Sequence, residues 1–91
     1  MSHDWDFELM VANVTWKYGW ALDFRMRVDD AICYAARQHP NAHTLWRLGA
    51  LDIKTLVAAV SSGIGEQRGN PLGDCEVVVM VLKKMGCANG Q

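Results

Sequence analysis

The chain has 91 residues, and its nine lysines and arginines against ten aspartates and glutamates give a net charge of −1 with neutral histidines. This balance excludes recognition of nucleic acid or an anionic membrane through bulk positive charge, and the longest apolar run, residues 77–82, is far too short to cross a bilayer. No repeat or shift in composition divides the chain, so we expect one small domain, residues 1–91, with residues 1–5 and 87–91 frayed.

The segment from residue 14 to residue 28 carries an apolar side chain at every even position. These residues are Val14, Trp16, Tyr18, Trp20, Leu22, Phe24, Met26 and Val28. A period of two is typical of an extended chain with one buried face. A single strand of this length would reach about 50 Å, whereas a domain of this size has a radius of gyration of about 12 Å. The segment is therefore predicted to reverse at residues 19–21 as a hairpin.

An earlier strand is predicted to pair with this hairpin. Between residues 7 and 11 the apolar side chains occupy odd positions, and a two-residue turn at residues 12–13 brings them to the same face. On the other face the same registers align Glu8, Lys17 and Asp23 as a row of alternating charge. The sequence therefore predicts an N-terminal antiparallel three-stranded meander.

Two or three short helices are predicted to follow. Asp29 or Asp30 can cap a helix that Pro40 ends, and a short helical turn is predicted around residues 44–48. Asp52 is a suitable N-cap for a clearer helix, which ends near residues 61–63. Its apolar residues have helical spacing: Ile53, Leu56, Val57 and Val60.

Residues 75–82 are compatible with two structures. Asn70-Pro71 could begin a helix and residues 83–86 could end one. Four valines among the eight residues instead favour a strand inside a sheet, which is the structure we predict. The expected fold class is therefore α+β, with helices packed on the aromatic face of the meander and a C-terminal fourth strand.

The sequence offers little catalytic chemistry. The glycine-rich loop, residues 63–74, could bring backbone amides to a phosphate, but phosphate-binding loops follow a strand and open a helix, whereas this one follows a helix. Cys33, His39 and His43 lack a fourth zinc ligand, and no residue that would activate Cys33 as a nucleophile is evident. We expect no metal, no cofactor and no enzymatic activity.

Exposed aromatic residues suggest a protein-binding role instead. Trp20 lies in the predicted tight turn, where a large ring has little core to enter, and Trp5 lies in the acidic N-terminal segment. Together with Glu66 and Arg68 of the glycine-rich loop, they form the predicted partner-binding residues. The sequence thus predicts a non-enzymatic adaptor or inhibitor that binds a protein partner, of a kind that a phage or plasmid could encode.

Composition adds two expectations about its setting. The three cysteines are odd in number and lack paired spacing, and the start of the chain has no signal-peptide pattern, so we expect a cytoplasmic protein. Hydrophobic residues make up 51% of the chain, and a homodimer would cover any apolar surface that one core leaves exposed.

The alternative function is a nucleotide or single-stranded nucleic-acid binding domain. Lys17, Arg25 and Arg27 share the solvent-exposed face of the predicted sheet, and Arg68 could add a charge from the glycine-rich loop. In the predicted sheet, however, the aromatic rings that would stack on bases lie on the opposite face. The protein-binding function is therefore preferred.

Overall fold

The computed structural model describes residues 3–66 and 73–86, with only the backbone described for residues 3–6 and Pro40. Five α-helices account for most of this part of the chain: α1 (His3–Lys17), α2 (Leu22–Gln38), α3 (Pro40–Arg47), α4 (Ile53–Glu66) and α5 (Asp74–Lys84). The described residues contain no strand, so the predicted α+β fold with its antiparallel sheet is wrong.

The alternating segment, residues 14–28, is a helical hairpin instead of a β-hairpin. It comprises the end of α1, a turn at residues 18–21 and the first turns of α2. Gly19 has a φ of +69°, which glycine adopts at little cost, and this lets the chain reverse at the predicted place. The row predicted from Glu8, Lys17 and Asp23 does not form; Glu8 pairs with Arg37 at the far end of α2.

The helices are specified by buried residues with a helical period. On α1 these are Phe7, Val11 and Val14, and on α2 they are Val28, Ala31, Ile32, Ala35 and Ala36. Leu22 and Met26, which the alternation placed in the core, are exposed. The strand prediction was wrong because the alternation includes apolar residues that are exposed. The alanines that line the core are small and carry a weak hydrophobic signal, so they did not reveal the helical period.

Two predicted helical features are confirmed. Helix α2 ends at Gln38, so only His39 lies between the end of the helix and Pro40. At the start of α4, the Asp52 carboxylate accepts hydrogen bonds from Lys54 N at 3.2 Å and from Thr55 Oγ1 at 2.7 Å. The predicted apolar residues of α4 are all buried: Ile53, Leu56, Val57 and Val60.

Helix α5 replaces the predicted fourth strand. Val77, Val78 and Leu82 face the core, while charged side chains match the helix dipole at both ends, acidic in the first turn and basic in the last. Gly86 has a φ of +97° just beyond the end of the helix. Valine is only a moderately poor helix former, and tertiary packing overrides such a weak preference.

Helices α4 and α5 approach closely at Gly63. A Cβ at this position would lie 2.6 Å from Val77 Cγ1, so the absence of a side chain allows the contact. Residues 63–66 were predicted to belong to the glycine-rich loop but form the end of α4. The next residues of the predicted loop, 67–72, lie outside the described residues. All five helices border one hydrophobic core.

No helix among the described residues is both long enough and apolar enough to cross a membrane. At the N-terminus, residues 3–5 form part of α1, although we expected them to be frayed. The other residues expected to be frayed, 1–2 and 87–91, lie outside the described part of the chain.

Candidate interaction surface

The end of the α1–α2 hairpin, residues 16–26, is here called the hairpin tip. It contains four of the nine large hydrophobic side chains that are exposed among the described residues. They are Trp16 (68% exposed), Tyr18 (46%), Leu22 (63%) and Met26 (51%). Such a concentration of apolar side chains on one hairpin is typical of a binding surface, whereas single exposed apolar residues are common on any protein.

Three aromatic rings give the hairpin tip a defined shape. The rings of Tyr18 and Trp20 stack with centroids 4.5 Å apart and planes 9° apart, and Trp20 meets Phe24 edge-on at 5.1 Å. Trp20 and Phe24 are half-buried against the hydrophobic core. They therefore hold the outer ring of Tyr18 in a fixed position.

A second stack, between Trp16 and Arg25, joins the two helices. The guanidinium carbon of Arg25 lies 5.1 Å from the centroid of the Trp16 ring, within the range of a cation–π interaction. The buried Nε of Arg25 has no hydrogen-bond partner among the described residues. Arg25 also takes part in neither of the two ion pairs that these residues form.

The cationic sheet face predicted for nucleic-acid binding does not exist. Lys17 is exposed at the end of α1, and Arg25 stacks on Trp16. Arg27 lies on another side of α2, where its Nη2 and Nε donate to the two carboxylate oxygens of Asp74 at 2.9 and 3.1 Å. Since residues two apart on a helix point in nearly opposite directions, these arginines cannot form one binding face.

The residues predicted to bind a partner are not brought together by the described structure. Trp20 lies in the hairpin tip, but it is half-buried and supports Tyr18. Glu66 is exposed as the last residue of α4. Trp5 belongs to the first turns of α1 but its side chain lies outside the described part, as does the whole of Arg68.

Sequence reasoning missed Trp16, Tyr18, Leu22 and Met26, because the predicted sheet buried all four beneath helices. One available signal was the spacing of Leu22 and Met26, which are one helical turn apart at the start of a segment rich in good helix formers. Had that segment been interpreted as a helix, its core face would have been the alanine-rich one. Leu22 and Met26 would then have been predicted to be exposed.

Polar side chains line the seam between α1 and α2 beyond Trp16. Arg37 Nη2 donates to Glu8 Oε2 at 2.7 Å. Burial raises the pKa of Asp29 above its ordinary value, against the opposing effect of Arg25. The Cys33 thiol is more strongly affected, since burial, assisted by the Glu8 carboxylate, raises its pKa to about 12.

This environment is the reverse of what a nucleophilic cysteine needs. Reactive cysteines have a lowered pKa, so that the thiolate is present at neutral pH. The described residues also contain no group of three or more side chains suited to hold a metal ion. His43, considered with Cys33 as a metal ligand, packs its ring 4.7 Å from the ring of Phe7.

A groove of about 380 Å³ lies between α4 and α5. Its walls are mostly apolar, and they include Ala59, Gly63 and Val81, with Met80 exposed at the surface. Glu66 and Lys84 supply opposite charges among its lining residues. In contrast to the hairpin tip, the described residues that line the groove include one large exposed apolar side chain and no aromatic one.

Comparison of the chain with protein-family models, with curated proteins and with solved structures found no match.

Proposed function

We propose that the protein is a non-enzymatic interaction module, an adaptor or inhibitor, that binds a protein partner through the hairpin tip. The observation that carries this proposal is the concentration of Trp16, Tyr18, Leu22 and Met26 on one hairpin of a chain whose helices already share a hydrophobic core. Tryptophan and tyrosine are enriched among the residues that dominate binding energy.

The size of the surface supports a partner that binds to an already folded protein. The four exposed side chains present on the order of 500 Å² of apolar surface, whereas a standard interface buries about 800 Å² on each partner. Obligate dimers bury considerably more. The hairpin tip therefore has the size of the apolar centre of a standard interface, with polar residues around it as the rim.

The test compares two double variants that remove exposed apolar side chains. Trp16→Ser with Leu22→Ser alters the hairpin tip, while Leu48→Ser with Met80→Ser alters residues elsewhere that are 75% and 48% exposed. The wild-type chain is used to isolate a partner by crosslinking in cells that produce it, and the affinity of that partner is then measured by calorimetry. We expect the tip variant to bind about thirtyfold more weakly or worse, because two central contacts are lost.

The control variant should retain the wild-type affinity. The proposal would be contradicted if both double variants lost affinity for the partner equally, or if neither lost any. If the crosslinked partner is a second copy of the chain, light scattering will show the mass halving in the tip variant alone.

A further inference from the structure

We propose that the hairpin tip recognises an acidic, apolar peptide segment of its partner, whose carboxylate side chain binds Arg25 beside the ring of Trp16. This inference rests on the proposed function and specifies the chemistry of the partner.

The three arginines of α2 differ in their partners. Arg27 is paired with Asp74 and Arg37 with Glu8, each at hydrogen-bond distance. Arg25 is half-buried, and Asp29 lies one helical turn further along α2, where burial raises the pKa of its carboxyl and Arg25 acts to lower it. Neither Asp29 nor any other carboxylate among the described residues lies within ion-pair distance of Arg25. A guanidinium that is partly removed from water gains from a charged acceptor, and a carboxylate matches its planar, two-pronged geometry.

The cation–π contact with Trp16, at 5.1 Å from the guanidinium carbon to the ring centroid, holds the guanidinium beside the ring. A guanidinium so placed can still donate its N–H groups to an approaching carboxylate. Leu22 lies three residues before Arg25 on α2, and hence on a neighbouring part of the helix surface. An apolar side chain of the partner can therefore contact Leu22 and Trp16 while a carboxylate contacts Arg25.

Charge around the stack also favours an acidic segment over a long polyanion. Lys17 directly follows Trp16 and is exposed, which adds a second positive charge. Asp23 lies on the other side of α2, because it is two positions before Arg25, and its carboxylate accepts a hydrogen bond from Phe24 N at 2.8 Å. The net charge of the chain is −1, which disfavours a nucleic acid with many phosphates.

The test selects binders from a library of random short peptides displayed on phage, with the full chain immobilised. We expect the selected peptides to combine aspartate or glutamate with leucine or aromatic residues. A selected peptide should bind Arg25→Gln about tenfold more weakly than the wild type, since a charge-assisted hydrogen bond is lost. Arg47→Gln, which changes an exposed arginine of α3, should bind within about twofold of the wild type.

A peptide in which the acidic residue is replaced by its amide completes a double-mutant cycle with Arg25→Gln. It should lose the same factor on the wild type and nothing further on Arg25→Gln. Far-UV circular dichroism confirms that the variant is folded. Lys17→Gln provides a second change, at an exposed residue, that should weaken binding severalfold.

Three results would overturn the inference. Peptides that need Trp16 but lack acidic residues would leave the proposed function intact and refute the acidic specificity. An amide-substituted peptide that binds as well as the acidic one would do the same. If the chain binds a labelled single-stranded oligonucleotide and Arg25→Gln abolishes this binding, the site belongs to nucleic acid. The absence of any peptide whose binding depends on Trp16 would count against the proposed function itself.

Discussion

At the scale of single residues, side chains two positions apart on α2 have different roles because a helix turns 100° per residue. Arg25 faces α1 and stacks on Trp16, whereas Arg27 faces α5 and binds Asp74. The Arg27 pair is largely exposed, so it contributes at most about 1 kcal/mol to stability. The pair links the start of α5 to α2. Since Arg37 pairs with Glu8, Arg25 is the arginine of α2 that forms no ion pair among the described residues.

Cys33 gives a prediction at the same scale. Its pKa of about 12 means that almost all of the thiol is protonated at pH 8, so it should react slowly with a thiol reagent. In a Cys75→Ser, Cys87→Ser background, we expect Cys33 to react with dithionitrobenzoate at least tenfold more slowly in the native chain than in urea. The reaction is followed by absorbance.

The matched control is Cys33→Ser with Cys87→Ser, which leaves Cys75 as the reactive thiol. Burial also raises the pKa of Cys75, but this residue is less enclosed, so it should react faster than Cys33 in the native chain. Native Cys33 reacting as fast as it does in urea would refute the assigned burial and revive a catalytic interpretation of this cysteine.

At the scale of elements, α4 could be predicted from the sequence and α1 and α5 could not. In α4 a capping aspartate and four apolar residues at helical spacing both indicate a helix that begins at the same place. In α5 the valines have apolar neighbours on both sides, and only packing against α4 and α2 decides which of them are buried. Periodicity alone cannot distinguish a strand from a helix in so short an apolar run.

The hairpin tip was predictable only in part. The reversal of the chain at Gly19 and the unusual position of Trp20 follow from the sequence. The exposure of Trp16 and Leu22 does not, because it depends on which face of α2 packs against the core. That face is set by Val28, Ala31 and the following alanines. Alanine is only weakly hydrophobic, so the large aromatic rings nearby dominate the hydrophobic pattern of the sequence.

The contact between α4 and α5 supplies a prediction for an element pair. Gly63→Ala places a methyl group 2.6 Å from Val77 Cγ1, and valine is β-branched and buried, so it cannot rotate away at low cost. We expect the variant to lose about 1–3 kcal/mol in the free energy of unfolding, despite the better helix propensity of alanine. Urea denaturation measures this change.

Gly65→Ala is the matched control on the same helix, since a Cβ there meets nothing within 4 Å. It should be neutral or more stable by up to about 1 kcal/mol. Combining Gly63→Ala with Val77→Ala removes the overlap, so the double variant should be more stable than the sum of the single effects predicts. If Gly63→Ala is instead stabilised as much as Gly65→Ala, helix propensity, and not the close approach to Val77, determines the result.

At the scale of the whole molecule, α1 is joined to the other helices through a few large side chains. Phe7 is fully buried, with its ring 4.7 Å from that of His43 and edge-on to Trp46 at 5.5 Å. Through these contacts α1 packs against α3 as well as against α2. The binding surface depends on this arrangement, because Trp16 can reach Arg25 only when α1 lies along α2.

Phe7→Ala should therefore affect the entire fold. Removing a buried phenylalanine costs about 3–5 kcal/mol, while a domain of this length has a total stability of roughly 5–14 kcal/mol. We expect a large fall in the urea concentration at half-unfolding, seen together in far-UV circular dichroism and in tryptophan fluorescence because Trp16 and Trp46 report on both ends of α1. Leu9→Ala, an exposed position on the same helix, should change stability by about 0.5 kcal/mol or less. If the two variants unfold at the same urea concentration, α1 does not pack on the core through Phe7, and the hairpin tip loses the support on which its geometry depends.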